Sequence, residues 1–156
     1  MKESVWLRHA NPWSVWTRVI TGLPVSLGAI WSFRLVGWWG LAWLTGAIVW
    51  LWLNPRIFPV PKNTNNWASK VTFGERIWLN RRAEPIPKHH SRWAMSLSVG
   101  AGIGFIVAVF GAAYHDILMT LVGGIGSWFS KMWFCDRMVW LYSDTQDIKN
   151  LFKKKV

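Results

Sequence analysis

Trp93-Ala-Met-Ser-Leu-Ser-Val-Gly-Ala-Gly-Ile-Gly-Phe-Ile-Val-Ala-Val-Phe-Gly-Ala-Ala113 is an uninterrupted uncharged run. At 1.5 Å per residue, a helix of this length crosses the ~30 Å hydrocarbon core of a bilayer. Within it Ser96, Gly100, Gly104, Ala108 and Ala112 recur at intervals of four. Residues four apart are neighbours on one helix face. In lipid, apolar burial does not drive helices together, so close backbone approach between small residues supplies packing energy. This face is therefore expected to dock on another helix.

Three more apolar runs flank it, at about 13–33, 35–53 and 116–134. Four such runs predict an all-α fold: a polytopic transmembrane bundle of about four spans, with interfacial helices and a single membrane domain over 1–156. Asn11-Pro12 suits a helix start, because Asn caps and Pro tolerates the first helical position. Pro24 sits inside the first span and is expected to kink it. Arg34 is expected to mark the turn into the second span, and Asn54-Pro55 to end that span. Trp38, Ala42, Gly46 and Trp50 lie four apart, a face that another helix could approach. Gly123, Gly124 and Gly126 are available for packing in the fourth span.

The polar residues lie between and after these runs. Segment 54–92 is expected to be a connection at the membrane interface. Asn65-Asn66 can cap a helix over about 67–80, and Trp67, Val71, Gly74 and Trp78 would share one side of it. The tail, 135–156, follows an aromatic-rich stretch, Trp128 to Tyr142, of the kind found at membrane interfaces. Ser143 and Gln146 form a candidate capping box for a basic amphipathic helix. That helix would place Ile148, Leu151 and Phe152 before Lys153, Lys154 and Lys155. The stretch from Asp116 to Tyr142 reads equally as one helix or two.

The chain holds 156 residues, 52% of them hydrophobic, and its net charge is +11. Eight Lys and Arg lie in 54–92, while the turn near 115 has none. By the positive-inside rule the head, the long connection and the tail face the cytoplasm. The expected location is the cytoplasmic membrane of a prokaryote, with both termini inside. Because the basic residues follow span boundaries, an anionic leaflet is the expected partner, and nucleic acid is not. A homo-oligomer or a membrane-protein partner is also compatible with the small-residue faces. The single Cys135 excludes an internal disulfide.

Arg56, Lys70, Arg76, Arg81, Arg82 and Lys88 are the candidate contacts for phosphate or lipid headgroups, because their donors match phosphate oxygens. Acid–base chemistry has three candidates, Glu75, His89 and His90. Adjacent histidines can bind metal, but a catalytic zinc site needs about three protein ligands. Glu75, Glu84 and His9 are the possible companions, and the expectation is no metal and no cofactor. Gly100-Ala-Gly-Ile-Gly104 lies inside an apolar run, not between a strand and a helix, so a nucleotide loop is not expected. The expected function is non-enzymatic lipid or partner binding. The alternatives are an interfacial enzyme acting on a lipid headgroup or polyprenyl phosphate, and a subunit of a larger membrane complex.

Two segments carry a resemblance. Arg8-His-Ala-Asn-Pro-Trp-Ser-Val-Trp-Thr-Arg18 opens the first span. Asn54-Pro-Arg-Ile-Phe-Pro59 and then Gly74-Glu-Arg-Ile-Trp-Leu79 follow the second. Over roughly residues 8–90 the chain resembles a family of small prokaryotic membrane proteins with no assigned function. The resemblance implies no catalytic residue. If its motifs act together, Arg8, His9, Asn11, Trp13, Asn54, Arg56, Glu75 and Arg76 would meet at the cytoplasmic interface.

Overall fold

Asn11 caps the helix that Pro12 opens, its side chain accepting the Trp13 N–H at 2.9 Å. It is one of six helices in the computed structural model, which describes residues 3–153. The side chains of Phe33, Arg34 and residues 148–153 lie outside that description. So do Lys2, Lys154 and Lys155, together with the apolar and basic contacts expected of the tail. Among the described residues the chain is all-α, without strands. In order the helices are α1 (Glu3–His9), α2 (Pro12–Val36), α3 (Trp39–Ile57), α4 (Trp67–Leu79), α5 (Lys88–Tyr114) and α6 (Ile117–Lys153).

Several boundaries differ from those expected. α2 runs through Pro24 and past Arg34, and the chain turns at Gly37, whose φ of 55° suits a residue without Cβ. α3 continues beyond Asn54-Pro55 to Ile57. Both residues are buried in its last stretch, where the Asn54 side chain bonds to α2 instead of capping the helix. α5 begins at Lys88, so His89, His90 and Arg92 are helical. α6 is one helix through the expected break at Ser143. No Gly or Pro interrupts it there, and Thr145 turns its hydroxyl back to the Leu141 carbonyl at 2.7 Å.

α5 and α6 form the central pair. His115 caps α5 in the left-handed conformation, and the Asp116 carboxylate accepts the Met119 N–H at 2.8 Å to start α6. The helices then approach through small residues. A Cβ on Gly104 would lie 2.6 Å from the Ser127 nitrogen, and Gly123 is pressed against the Ala108 backbone. Gly100 faces the Ser130 hydroxyl, and Ala108 and Ala112 are fully buried. Ser96 is exposed and off this seam, while Gly111, outside the expected stripe, sits against Thr120. Gly126 meets nothing nearby, and Gly124 faces Leu27 on α2.

The α4 helix spans Trp67–Leu79, capped by Asn66, which accepts the Ser69 N–H at 2.9 Å. Its apolar side was expected to rest in the headgroup layer. Much of that side, Val71 and Gly74 included, is buried within the protein, joining Ala94, Leu97, Phe134, Met138 and Leu141 in a core against α5 and α6. α1 packs on α3 and α4 at this same end. On α3 the Ala42–Gly46 face is exposed, and a Cβ on Gly46 would meet nothing within 4 Å.

Among the described residues one helix, α5, is long and apolar enough to cross a membrane, with a mean hydropathy of 2.0 in its most apolar window.

Candidate functional site

Residues 8–18, 54–59 and 69–76 meet through polar contacts. The Ser69 hydroxyl donates to the Ala10 carbonyl at 2.7 Å, and Thr72 to the His9 carbonyl at 3.3 Å. Asn11 Nδ2 reaches the Pro59 carbonyl at 2.9 Å, and Arg8 reaches the Arg56 carbonyl at 3.1 Å. Fully buried Asn54 links two turns of α2: Ser14 Oγ donates to its Oδ1, and its Nδ2 donates to Thr17 Oγ1, both at 2.8 Å. This network gives the buried side chains of Ser14, Asn54, Ser69 and Thr72 their partners and ties α3 and α4 to the corner between α1 and α2.

Beside the network, Arg18, Glu75 and Lys131 border a cavity of ≈190 Å³ between α2, α4 and α6. Lys131 Nζ donates to Glu75 Oε1 at 2.8 Å, and Arg18 Nε donates to the Ser14 carbonyl at 2.9 Å. Arg18 Nη1 lies 3.1 Å from His9 Nε2. A guanidinium only donates, so His9 accepts through that nitrogen and is neutral there. Burial, and then the charges of Arg18 and Lys131, pull the His9 pKa down to about 4 against the opposing effect of Glu75. Two cations and one carboxylate leave the cavity one net positive charge, which suits an anionic group.

Leu23 and Trp128 border this cavity and also a second, apolar one of ≈500 Å³ between α2 and α6. Pro24, Leu27, Leu121 and Phe129 line that second space. A charged compartment therefore adjoins an apolar one across two shared side chains.

Of the expected site residues, only Glu75 borders the charged cavity. Arg76 forms an ion pair with Glu3 through contacts of 2.7 and 2.6 Å. The Arg56 guanidinium lies 4.0 Å from the Trp52 ring centre, and that of Arg81 lies 4.2 Å from the Trp78 ring centre. Lys70 is half-buried, while Arg82 and Lys88 are exposed. His89 and His90 do not border the charged cavity; they meet Asp144, not Glu75, Glu84 or His9. Arg18 and Lys131, each the lone cation of its apolar run, were not among the expected site residues. Their signal was position, since a cation set inside an apolar run needs a partner or a wet cavity.

No curated protein and no solved structure matches the chain. A family model does match, over residues 1–153, and the chain belongs to that family of unknown function, DUF6653.

Proposed function

We propose that the chain is an integral membrane protein that holds an anionic lipid. The headgroup would lie against Arg18 and Lys131, and the chain would lie along the α2–α6 groove. The observation that carries this is the sharing of Leu23 and Trp128 by the charged and apolar cavities. An amphiphile needs both environments, joined, within one molecule's reach.

The membrane setting draws support from exposed apolar faces. Met95, Val99, Ile103, Ile106 and Phe110 are exposed on α5, as are Trp39, Trp43, Ile48 and Trp52 on α3. Large exposed apolar surface marks membrane or partner contact. α2 and α3 have 25 and 19 residues, long enough to cross. Their tryptophans lower the mean hydropathy, although an indole is well suited to the membrane interface. In this reading α2, α3, α5 and the first part of α6 cross the cytoplasmic membrane of a prokaryote. The basic end built from α1, α4 and distal α6 then faces the cytoplasm.

The role is binding, not turnover. A headgroup enzyme is the second reading, favoured by the presence of Glu75 in the cavity; its carboxylate would act as a base only after releasing Lys131. Thermal unfolding in neutral detergent tests the first reading. Adding an anionic lipid should raise the melting temperature more than a zwitterionic lipid with the same chains. Equal shifts would contradict it.

A further inference from the structure

The geometry points to a divalent transition-metal site formed by His89, His90 and Asp144, where the start of α5 meets the distal part of α6. Each residue offers one ligand atom, and these atoms all lie within 4.8 Å of one another. His90 Nε2 and Asp144 Oδ2 are 2.8 Å apart, and the two imidazole rings lie 4.2 Å apart, centre to centre. Zinc binds imidazole nitrogen and carboxylate oxygen at about 2.0–2.2 Å, which gives a tetrahedral ligand edge of roughly 3.3–3.5 Å. The 2.8 Å contact therefore needs to open by only about 0.5–0.7 Å to become such an edge.

Burial separates the roles of the three. His90 is 2% exposed, and its Nδ1 has no hydrogen-bond partner within the protein. The nitrogen set against Asp144 is Nε2, so Nε2 is the ligand atom; one imidazole cannot give both nitrogens to one ion, and Nδ1 lies outside the site. His89 and Asp144 are exposed, so an ion has an entry path and room for a water or an anion as a further ligand. Two neutral imidazoles and one carboxylate form a ligand set used for zinc with an open position and for ferrous iron. Lys88 and Arg92 stand beside the pair in sequence and oppose a bare cation. The same charges favour an anionic fourth ligand once a divalent ion is held. Sequence distance hid the third ligand, because Asp144 lies 54 residues from His90.

The full-length protein, made without a polyhistidine tag and stripped with chelator, is titrated with Zn²⁺ and with Co²⁺ in detergent. Bound metal is counted after dialysis, and Co²⁺ is followed by its ligand-field absorption. The expected result is one ion per chain, with a tetrahedral or five-coordinate Co²⁺ spectrum. His89→Ala and Asp144→Asn alter exposed side chains and should leave the helical circular dichroism unchanged. Each should weaken Zn²⁺ binding by at least the roughly tenfold that loss of even an outer-shell partner costs. Glu84→Gln should bind as the wild type does. Absence of stoichiometric metal in the wild type overturns the proposal, and so does equal affinity in wild type, His89→Ala and Asp144→Asn.

Discussion

Gly74 on α4 lies flush against the Met138 carbonyl on α6, with no room for a Cβ between them. The neighbour is backbone, which cannot swing aside as a side-chain tip could. Gly74→Ala should push α4 off α6 and lower stability by about 1–3 kcal/mol, the usual cost of overpacking. Gly102→Ala is the control, because nothing lies within 4 Å of its Cβ position. Thermal unfolding in one fixed detergent should show a lowered melting temperature for the first variant and an unchanged or slightly raised one for the second. Because Glu75 follows Gly74 on α4, the same displacement should also loosen its bond to Lys131.

Asn54 carries the polar link between α2 and α3. Asn54→Leu would remove the acceptor of Ser14 and the donor to Thr17, stranding a fully buried hydroxyl on Ser14. Leaving such a group unsatisfied costs about 1–3 kcal/mol. The double variant Asn54→Leu, Ser14→Ala should recover part of the loss. A double-mutant cycle on melting temperatures checks this, and strict additivity would count against the link.

His9 should make stability depend on pH. Its ordinary value is 6.5, and burial, with the Arg18 charge second, lowers it to about 4 in the folded chain. Between those values the unfolded chain binds more protons than the folded one, so stability falls as pH falls. The contribution is fully present above about pH 6.5 and is lost on descent toward about pH 4. His9→Gln should flatten this part of the profile relative to wild type. Parallel wild-type and variant profiles across the window would exclude His9 as the source.

Local chemistry made some of this architecture legible. Asn66 announced α4, because a side-chain cap acts within three residues of itself. The small-residue interval of four pointed to a packing face on α5, though Ser96 proved to be exposed and Gly111 joined the seam. The turn after α2 was misplaced because Arg34 interrupts an apolar run, whereas the backbone reverses where Gly37 permits a positive φ. The continuity of α6 was hidden by an aromatic-rich composition that resembles an interface boundary. The charged cavity was hidden for a different reason. Glu75 and Lys131 are 56 residues apart, and their meeting depends on the close approach of α4 to α6 at Gly74. No periodicity within either helix encodes that contact.

The central claim is that Arg18 and Lys131 hold an anionic headgroup beside an apolar groove. Native mass spectrometry of the protein extracted with its surrounding lipids tests it most directly, comparing wild type with the double variant Arg18→Gln, Lys131→Gln at matched helicity. The account predicts one anionic lipid retained on the wild-type chain and lost from the variant. A wild-type chain that emerges without lipid, or a variant that retains the same lipid equally well, would contradict it.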